Sequence, residues 1–352
     1  MNIINLIKKS LDLNASDIHL ISDHYPMIRI NGCIKKLKDN ILELKDILKF
    51  LESILNNEEY LKLKKYGEID LSMNIDKSIR LRLNVFRQRG KYSIAIRIIP
   101  IKIPSIEELK LPEVVKKLCS KKRGLILVTG PAGSGKTTTL SAMINEINNK
   151  KCCNIITLED PIEYTHNNIK SIISQREIGK DTKSFKTGIR SALRQDPNII
   201  LVGEIRDVET VEICLNAGET GHLVLSTLHT IGAPKSIDRL INMFPIYQRD
   251  YISLQISNTL EAIISQQLIP SFSKGKRALA LEVMTTNPAI KNLIREKKTY
   301  QINSIIQTSN KYGMSSMDDS LYELYIKGII SLQDTIDYCI DEKYMKRKLK
   351  FL

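Results

Sequence analysis

Leu125-Ile126-Leu127-Val128-Thr129, followed at once by Gly130-Pro131-Ala132-Gly133-Ser134-Gly135-Lys136-Thr137, is the stretch on which the fold turns. A short apolar run bounded by glycine reads as a buried strand. The pattern Gly-x-x-x-x-Gly-Lys-Thr after a strand and ahead of a helix is a phosphate-binding loop. Its glycines let backbone N–H groups curl around an anion, and the N-terminus of the following helix favours negative charge. Lys136 would then reach the β- and γ-phosphates of a nucleotide, Thr137 would hold Mg²⁺, and Thr138 extends the cradle into the helix. ATP and Mg²⁺ are the expected ligands.

Downstream, Cys153 to Leu158, Ile199 to Val202 and Leu223 to Thr227 are three more short apolar runs separated by helical stretches. Strands alternating with helices predict an α/β domain on a mostly parallel sheet. Such sheets present ligand-binding residues at the C-terminal ends of their strands. Glu204 follows Asn198-Ile-Ile-Leu-Val-Gly203 and so falls at such an end, beside the γ-phosphate, where hydrolysis needs a carboxylate. The position before it, where an Asp commonly helps to hold the metal, is Gly203. Mg²⁺ must therefore draw carboxylate help from Thr157-Leu-Glu159-Asp160-Pro-Ile-Glu163-Tyr164, which also follows an apolar run. Carboxylates on loops are usually just solvated; three at a strand end beside a phosphate loop point to the chemistry instead. His222 and His229 bracket Leu223 to Thr227, at most about 23 Å apart along a fully extended strand, so they form no obvious metal pair. His229, after Ser226-Thr227, is placed to sense a γ-phosphate, although a lone histidine is more often structural. Beyond about residue 245 the pattern reads as mostly helical.

Ahead of the loop the character differs. Ile28, Ile30, Ile34 and Leu37 suggest short strands with Asn31-Gly32 as a hairpin turn, and Leu42 to Leu63 reads as helix. Ile79 to Val85 alternates with Arg80, Arg82 and Asn84 on one face, and Tyr92 to Ile99 alternates again. This predicts a small α+β domain over 1–100, a linker over 101–112 bracketed by Pro100 and Pro104, and the ATPase-type domain over 113–352.

Composition bounds the function. With 352 residues, 42% hydrophobic and 26% charged, the chain has room for a proper core. No apolar run approaches the roughly 18 residues of a membrane span, and Met1 to Leu11 lacks the pattern of a signal peptide, so a cytoplasmic location is expected. The six cysteines have no metal-ligand spacing and suit free thiols. The net charge of +14 raises nucleic acid as a partner. The lysines are spread along the chain without a cluster interleaved with aromatics, so no nucleic-acid partner is expected.

These segments together resemble the type II/IV secretion ATPases. Gly130 to Thr137 looks like that family's Walker A loop, Ile156 to Tyr164 its Asp box, Ser191 to Asp207 its atypical Walker B and Gly221 to Thr230 its His box. Ala15-Ser-Asp-Ile-His-Leu20 and Pro26-Met-Ile-Arg-Ile-Asn-Gly32 are similar to its N-terminal domain. The resemblance implies a RecA-like core, a PAS-like N-terminal domain and a homohexamer with ATP bound between neighbours. It makes Glu204 the general base and Glu163 and Asp160 the metal- or water-positioning groups. Arg82 and Arg97, fifteen residues apart, become arginines that reach the nucleotide's phosphates, and Arg190 and Arg194 become candidates for the subunit interface.

Asn287-Pro-Ala-Ile-Lys-Asn-Leu-Ile-Arg-Glu296 resembles the C-terminal signature of the pilus-retraction branch, with Lys291 where that pattern has Arg. Ile290, Leu293 and Ile294 form a helical stripe that is more often core than partner site. The implied partners are an inner-membrane platform protein and, indirectly, a pilin fibre, with the motor resting on the inner face of the cytoplasmic membrane. A pilus-assembly or type II secretion motor is the alternative within the family, and a nucleic-acid translocase the alternative outside it.

Overall fold

A computed structural model describes residues 2–13, 15–30, 32–37, 40–76, 79–100, 102–273 and 277–350. Asn31, half of the expected hairpin turn, lies outside the described residues. The chain divides into two compact units, Met1–Lys102 and Ile103–Leu352.

The first unit begins with α1 (Ile3–Asp12), β1 (Asp17–Ile21), β2 (Met27–Ile30) and β3 (Cys33–Lys36). It continues with α2 (Leu44–Ile54), α3 (Asn57–Tyr66), β4 (Glu68–Asp76), β5 (Ile79–Gln88) and β6 (Lys91–Pro100). The six strands form one antiparallel sheet in the order β3-β2-β1-β6-β5-β4. Ile18, Leu20, Leu81, Leu83, Val85, Ile94 and Ile96 pack with Ile3 and Ile7 of α1 and Ile47 and Leu51 of α2. The segment expected as one helix from Leu42 to Leu63 is two. Asn56 breaks it, its side chain accepting from Glu59 N while Glu59 accepts from Asn56 N. That reciprocal cap satisfies two free N–H groups and makes a new helix start cheaper than continuation.

The second unit runs α4 (Glu113–Cys119), β7 (Gly124–Thr129), α5 (Lys136–Lys150), β8 (Asn154–Glu159), β9 (Ile172–Glu177), α6 (Phe185–Ala192) and β10 (Ile199–Val202). Then come α7 (Val208–Glu219), β11 (Leu223–Leu228), α8 (Ala233–Asn242), α9 (Arg249–Thr259), β12 (Leu260–Pro270) and β13 (Arg277–Thr285). It closes with α10 (Pro288–Arg295), α11 (Ile302–Thr308), α12 (Met317–Ile326), α13 (Leu332–Tyr338) and α14 (Glu342–Lys350). Seven strands form its sheet in the order β13-β12-β7-β11-β10-β8-β9, parallel except for the β12–β13 pair. Strands β7, β10 and β11 are buried along their whole length, as apolar runs covered on both faces must be. Ile106 and Leu111, ahead of α4, are buried in this unit's core.

The mostly helical expectation beyond residue 245 is wrong for Leu260–Pro270 and Arg277–Thr285, which form the long antiparallel β12–β13 pair. Leu260-Glu-Ala-Ile-Ile-Ser-Gln-Gln-Leu continues α9 without glycine or proline, so nothing local marks the switch. Pairing with β7 decides it: Ile264 lies beside Val128 and Ser265 beside Thr129. In α10, Asn287 accepts from Ile290 N and caps the helix, while Ile290 and Ile294 are fully buried. The stripe is core, as its spacing suggested.

Candidate functional site

The registers bring the strand ends to one level. Leu158 of β8 pairs with Val202 of β10, and Val202 with Ser226 of β11. Glu159, Gly203 and Thr227 are therefore the next residues on adjacent strands. On the far side of β11, Leu228 pairs with Thr129 of β7, so the phosphate loop leaves the sheet alongside them.

Gly130, Gly133 and Gly135 all take positive φ. At Gly130 a Cβ would also lie 2.2 Å from the Gln266 carbonyl oxygen and 2.7 Å from Ser134 Oγ, so no side chain fits there. The loop turns back on itself through Lys136, whose Nζ donates to the carbonyls of Gly130 at 2.8 Å and Pro131 at 2.9 Å. Burial lowers the pKa of this ammonium, and the charges of Glu204 and Glu163 oppose the shift. Thr138 Oγ1 lies 3.1 Å from Tyr164 Oη, tying the first turn of α5 to the segment after β8.

A cavity of about 230 Å³ opens at these strand ends. Ala132, Gly133, Lys136 and Thr137 line it from the loop, and Glu159, Asp160, Glu163, Glu204 and His229 line it from the other strands. Gly130, Pro131, Ser134 and Gly135 build the loop, and Thr138 the first turn of α5, without lining the cavity. Glu204, with a side chain 13% exposed, is held at both oxygens: Arg206 Nη2 donates to Oε1 over 2.6 Å and His229 Nε2 to Oε2 over 3.2 Å. Glu159 accepts from Thr157 Oγ1 at 2.7 Å and Gln175 Nε2 at 3.0 Å, and burial pushes its carboxyl pKa up. At Gly203 a Cβ would stand 3.2 Å from the Leu158 carbonyl oxygen. The close approach of β8 leaves little room for a side chain at this position, which an Asp commonly holds.

One hydroxyl (Thr137) and two carboxylates (Glu159 and Asp160) facing one cavity make an oxygen donor set suited to Mg²⁺. Among the described residues no cluster of three His, Cys, Asp or Glu could cage a metal alone.

Sequence reasoning missed several contributors. Phe185 and His166 also line the cavity, and burial lowers the His166 pKa to about 4, keeping its ring neutral. Gln175 joins Glu159 to the Tyr164 carbonyl, which it reaches at 2.8 Å. No motif marks these residues, because each acts through a contact made by tertiary packing. Arg190 is exposed near the end of α6, and Arg194 is exposed just beyond it.

In the first unit, Arg82 and Arg97 stand directly opposite each other on β5 and β6. The same row continues through Asp17 of β1 to Arg29 of β2 on one side and to Ser72 of β4 on the other. Asp17 Oδ1 accepts from Arg97 Nε over 3.1 Å, and Oδ2 lies 3.6 Å from Arg29 Nε. Arg82 has neither an ion pair nor a hydrogen bond from its side chain among the described residues.

Residues 2–336 match the family profile described as type II/IV secretion system protein. The chain is 43% identical over 334 residues to the type IV pilus retraction ATPase PilT of Pseudomonas aeruginosa, covering 95% of this chain and 97% of that one. It is 40% identical over 330 residues to a twitching motility protein of Neisseria gonorrhoeae, covering 94% and 88%. A crystal structure of the pilus retraction motor PilT with bound ADP superposes at a TM-score of 0.92 with 45% identity, covering 99% of each chain. With its phosphate loop and strand-end carboxylates in place and a match from end to end, the chain belongs to the type II/IV secretion system protein family.

Proposed function

We propose that this protein is an ATPase motor that drives retraction of type IV pili and so supports twitching motility. The observation that carries the reading is the single cavity where Lys136, Thr137, Glu159, Asp160, Glu163, Glu204 and His229 converge. End-to-end similarity to a retraction ATPase supplies the direction of work.

In this reading Lys136 leaves its own loop carbonyls for the β- and γ-phosphates, and the loop N–H groups hold the phosphate chain. Thr137, Glu159 and Asp160 would hold Mg²⁺, which supplies charge neutralisation on the β- and γ-oxygens when bound. Glu204 takes a proton from the attacking water, with Arg206 and His229 fixing its orientation. Glu163 positions that water, and His229 reports on the γ-phosphate. Arg82 and Arg97 act on the nucleotide of a neighbouring protomer in a homohexamer, offsetting charge on the transferred phosphoryl group. Two arginines placed opposite each other, one of them without a partner among the described residues, suit a surface that an anion completes.

We read the second unit as a RecA-like core and the first as a PAS-like domain. The motor would sit on the cytoplasmic side of the inner membrane, act through a platform protein and move the pilin fibre indirectly, with no nucleic acid. Among the described residues no helix is long and apolar enough to cross a membrane.

Glu204→Gln tests the reading. It should bind ATP normally and lose at least about a hundredfold in kcat, as expected when a general base is removed. Cells carrying only this variant should display excess pili that do not retract. Normal hydrolysis by the variant overturns the base assignment, and a bald cell surface would identify an assembly motor instead.

A further inference from the structure

The geometry points to Gln266, on β12, as the residue that positions the phosphate loop for nucleotide. Gln266 is 1% exposed and follows Ser265, the register partner of Thr129, so it lies beside the point where the loop leaves β7. Its amide uses both ends on the loop and the helix behind it. Nε2 donates to the Ser134 carbonyl at 2.6 Å, and Oε1 accepts from Thr139 Oγ1 at 3.0 Å. Its backbone oxygen is 2.2 Å from where a Cβ on Gly130 would stand, and its Nε2 is 3.3 Å from the Cβ position of Gly135. The backbone of this residue therefore crowds the start of the loop, while its side chain braces the far end of the loop and the first turn of α5.

The consequence follows from peptide geometry. In a trans peptide the carbonyl and the next N–H point in opposite directions. Fixing the Ser134 carbonyl toward β12 aims the Gly135 N–H away from β12, toward the side of the loop where a phosphate is bound. A loop of glycines can rotate such a peptide at little cost, since Gly populates both signs of φ. Without the amide, part of the population would present a carbonyl oxygen to the phosphate instead. A leucine is close in size to glutamine but could not hold that plane. Gln266 touches no substrate; it acts through the Ser134–Gly135 peptide.

This inference rests on the phosphate-loop reading, so the experiment includes Lys136→Ala, which should lose nucleotide binding. Steady-state ATP hydrolysis by the full chain with Gln266→Leu should show KM raised about tenfold, the worth of one buried hydrogen bond left unmade, with kcat within about threefold. Gln266→Glu, which keeps the size but sets a carboxylate against the Ser134 carbonyl, should raise KM further. A merely structural role would reduce the active fraction, lowering kcat at unchanged KM, and that result overturns the proposal, as does an unchanged KM with unchanged kcat. Should the leucine variant fail to fold, Gln266→Glu carries the same comparison. Lys136→Ala retaining tight ADP binding would sink the loop reading itself, a separate outcome from any failure at Gln266.

Discussion

Two regions of this molecule are proposed to meet phosphate, and they would do it by opposite means. The loop from Gly130 to Thr137 is contiguous in sequence, relies on backbone donors and satisfies its own lysine through the Gly130 and Pro131 carbonyls. The arginine row of the first unit draws Arg29, Asp17, Arg97 and Arg82 from four strands and relies on side chains alone. It carries three cations and one anion, with Arg82 and Arg97 in direct opposition, an arrangement that is unfavourable by itself. A self-satisfied loop can wait empty at little cost. A row of like charges is instead stabilised by whatever anion comes to it. The contrast suggests a division of labour in which the loop sets affinity and the row sets rate.

Lys136→Ala breaks the loop side of that comparison most severely. The ammonium is the loop's only side-chain cation and is 8% exposed, so nothing nearby replaces it. ATP hydrolysis should fall by about a thousandfold or more, with ADP affinity down at least about a hundredfold by equilibrium titration. Tight ADP binding by this variant would sink the phosphate-loop reading.

The same contrast explains what the sequence could disclose. The loop was legible because its chemistry is a run of neighbouring residues, and Glu204 and His229 were legible because each follows an apolar strand directly. Their shared hydrogen bond was not, since it depends on β10 and β11 pairing in register. Gln266 was hidden for a stronger reason: it lies in a strand that reads as the continuation of α9, and its partners are more than a hundred residues away. The opposition of Arg82 and Arg97 follows from the tight β5–β6 turn, yet the Asp17 that holds Arg97 and stands beside Arg29 comes from the start of the unit. Local pattern fixed most elements; long-range pairing fixed β12 and which side chains meet.

On the row side, Arg82→Ala removes the arginine that has no protein partner among the described residues. If the row sets rate, kcat should fall about a hundredfold while the KM for ATP changes less than about threefold, since an arginine that meets charge developing in the transition state acts on the chemical step. A rise in KM at constant kcat would move Arg82 from rate to affinity and erase the contrast between the two regions.

Asp17→Asn is the mildest of these changes and the sharpest probe of how the row is held. The substitution keeps the shape but removes the charge that Arg97 Nε donates to, and the Asp17 side chain is only 18% exposed while that of Arg97 is 63% exposed. Ion pairs with one partner in water are worth little, so a loss of about threefold in kcat is expected. The decisive measurement is the double variant with Arg97→Ala. If Asp17 acts by orienting Arg97, its removal should add almost nothing once Arg97 is gone, a coupling that only residues in contact display. Full additivity would mean that Asp17 works through Arg29 or through the stability of the sheet. A gain in kcat from Asp17→Asn would mean that the carboxylate restrains Arg97 rather than presenting it, because Arg97 must break this bond before it can reach a phosphate.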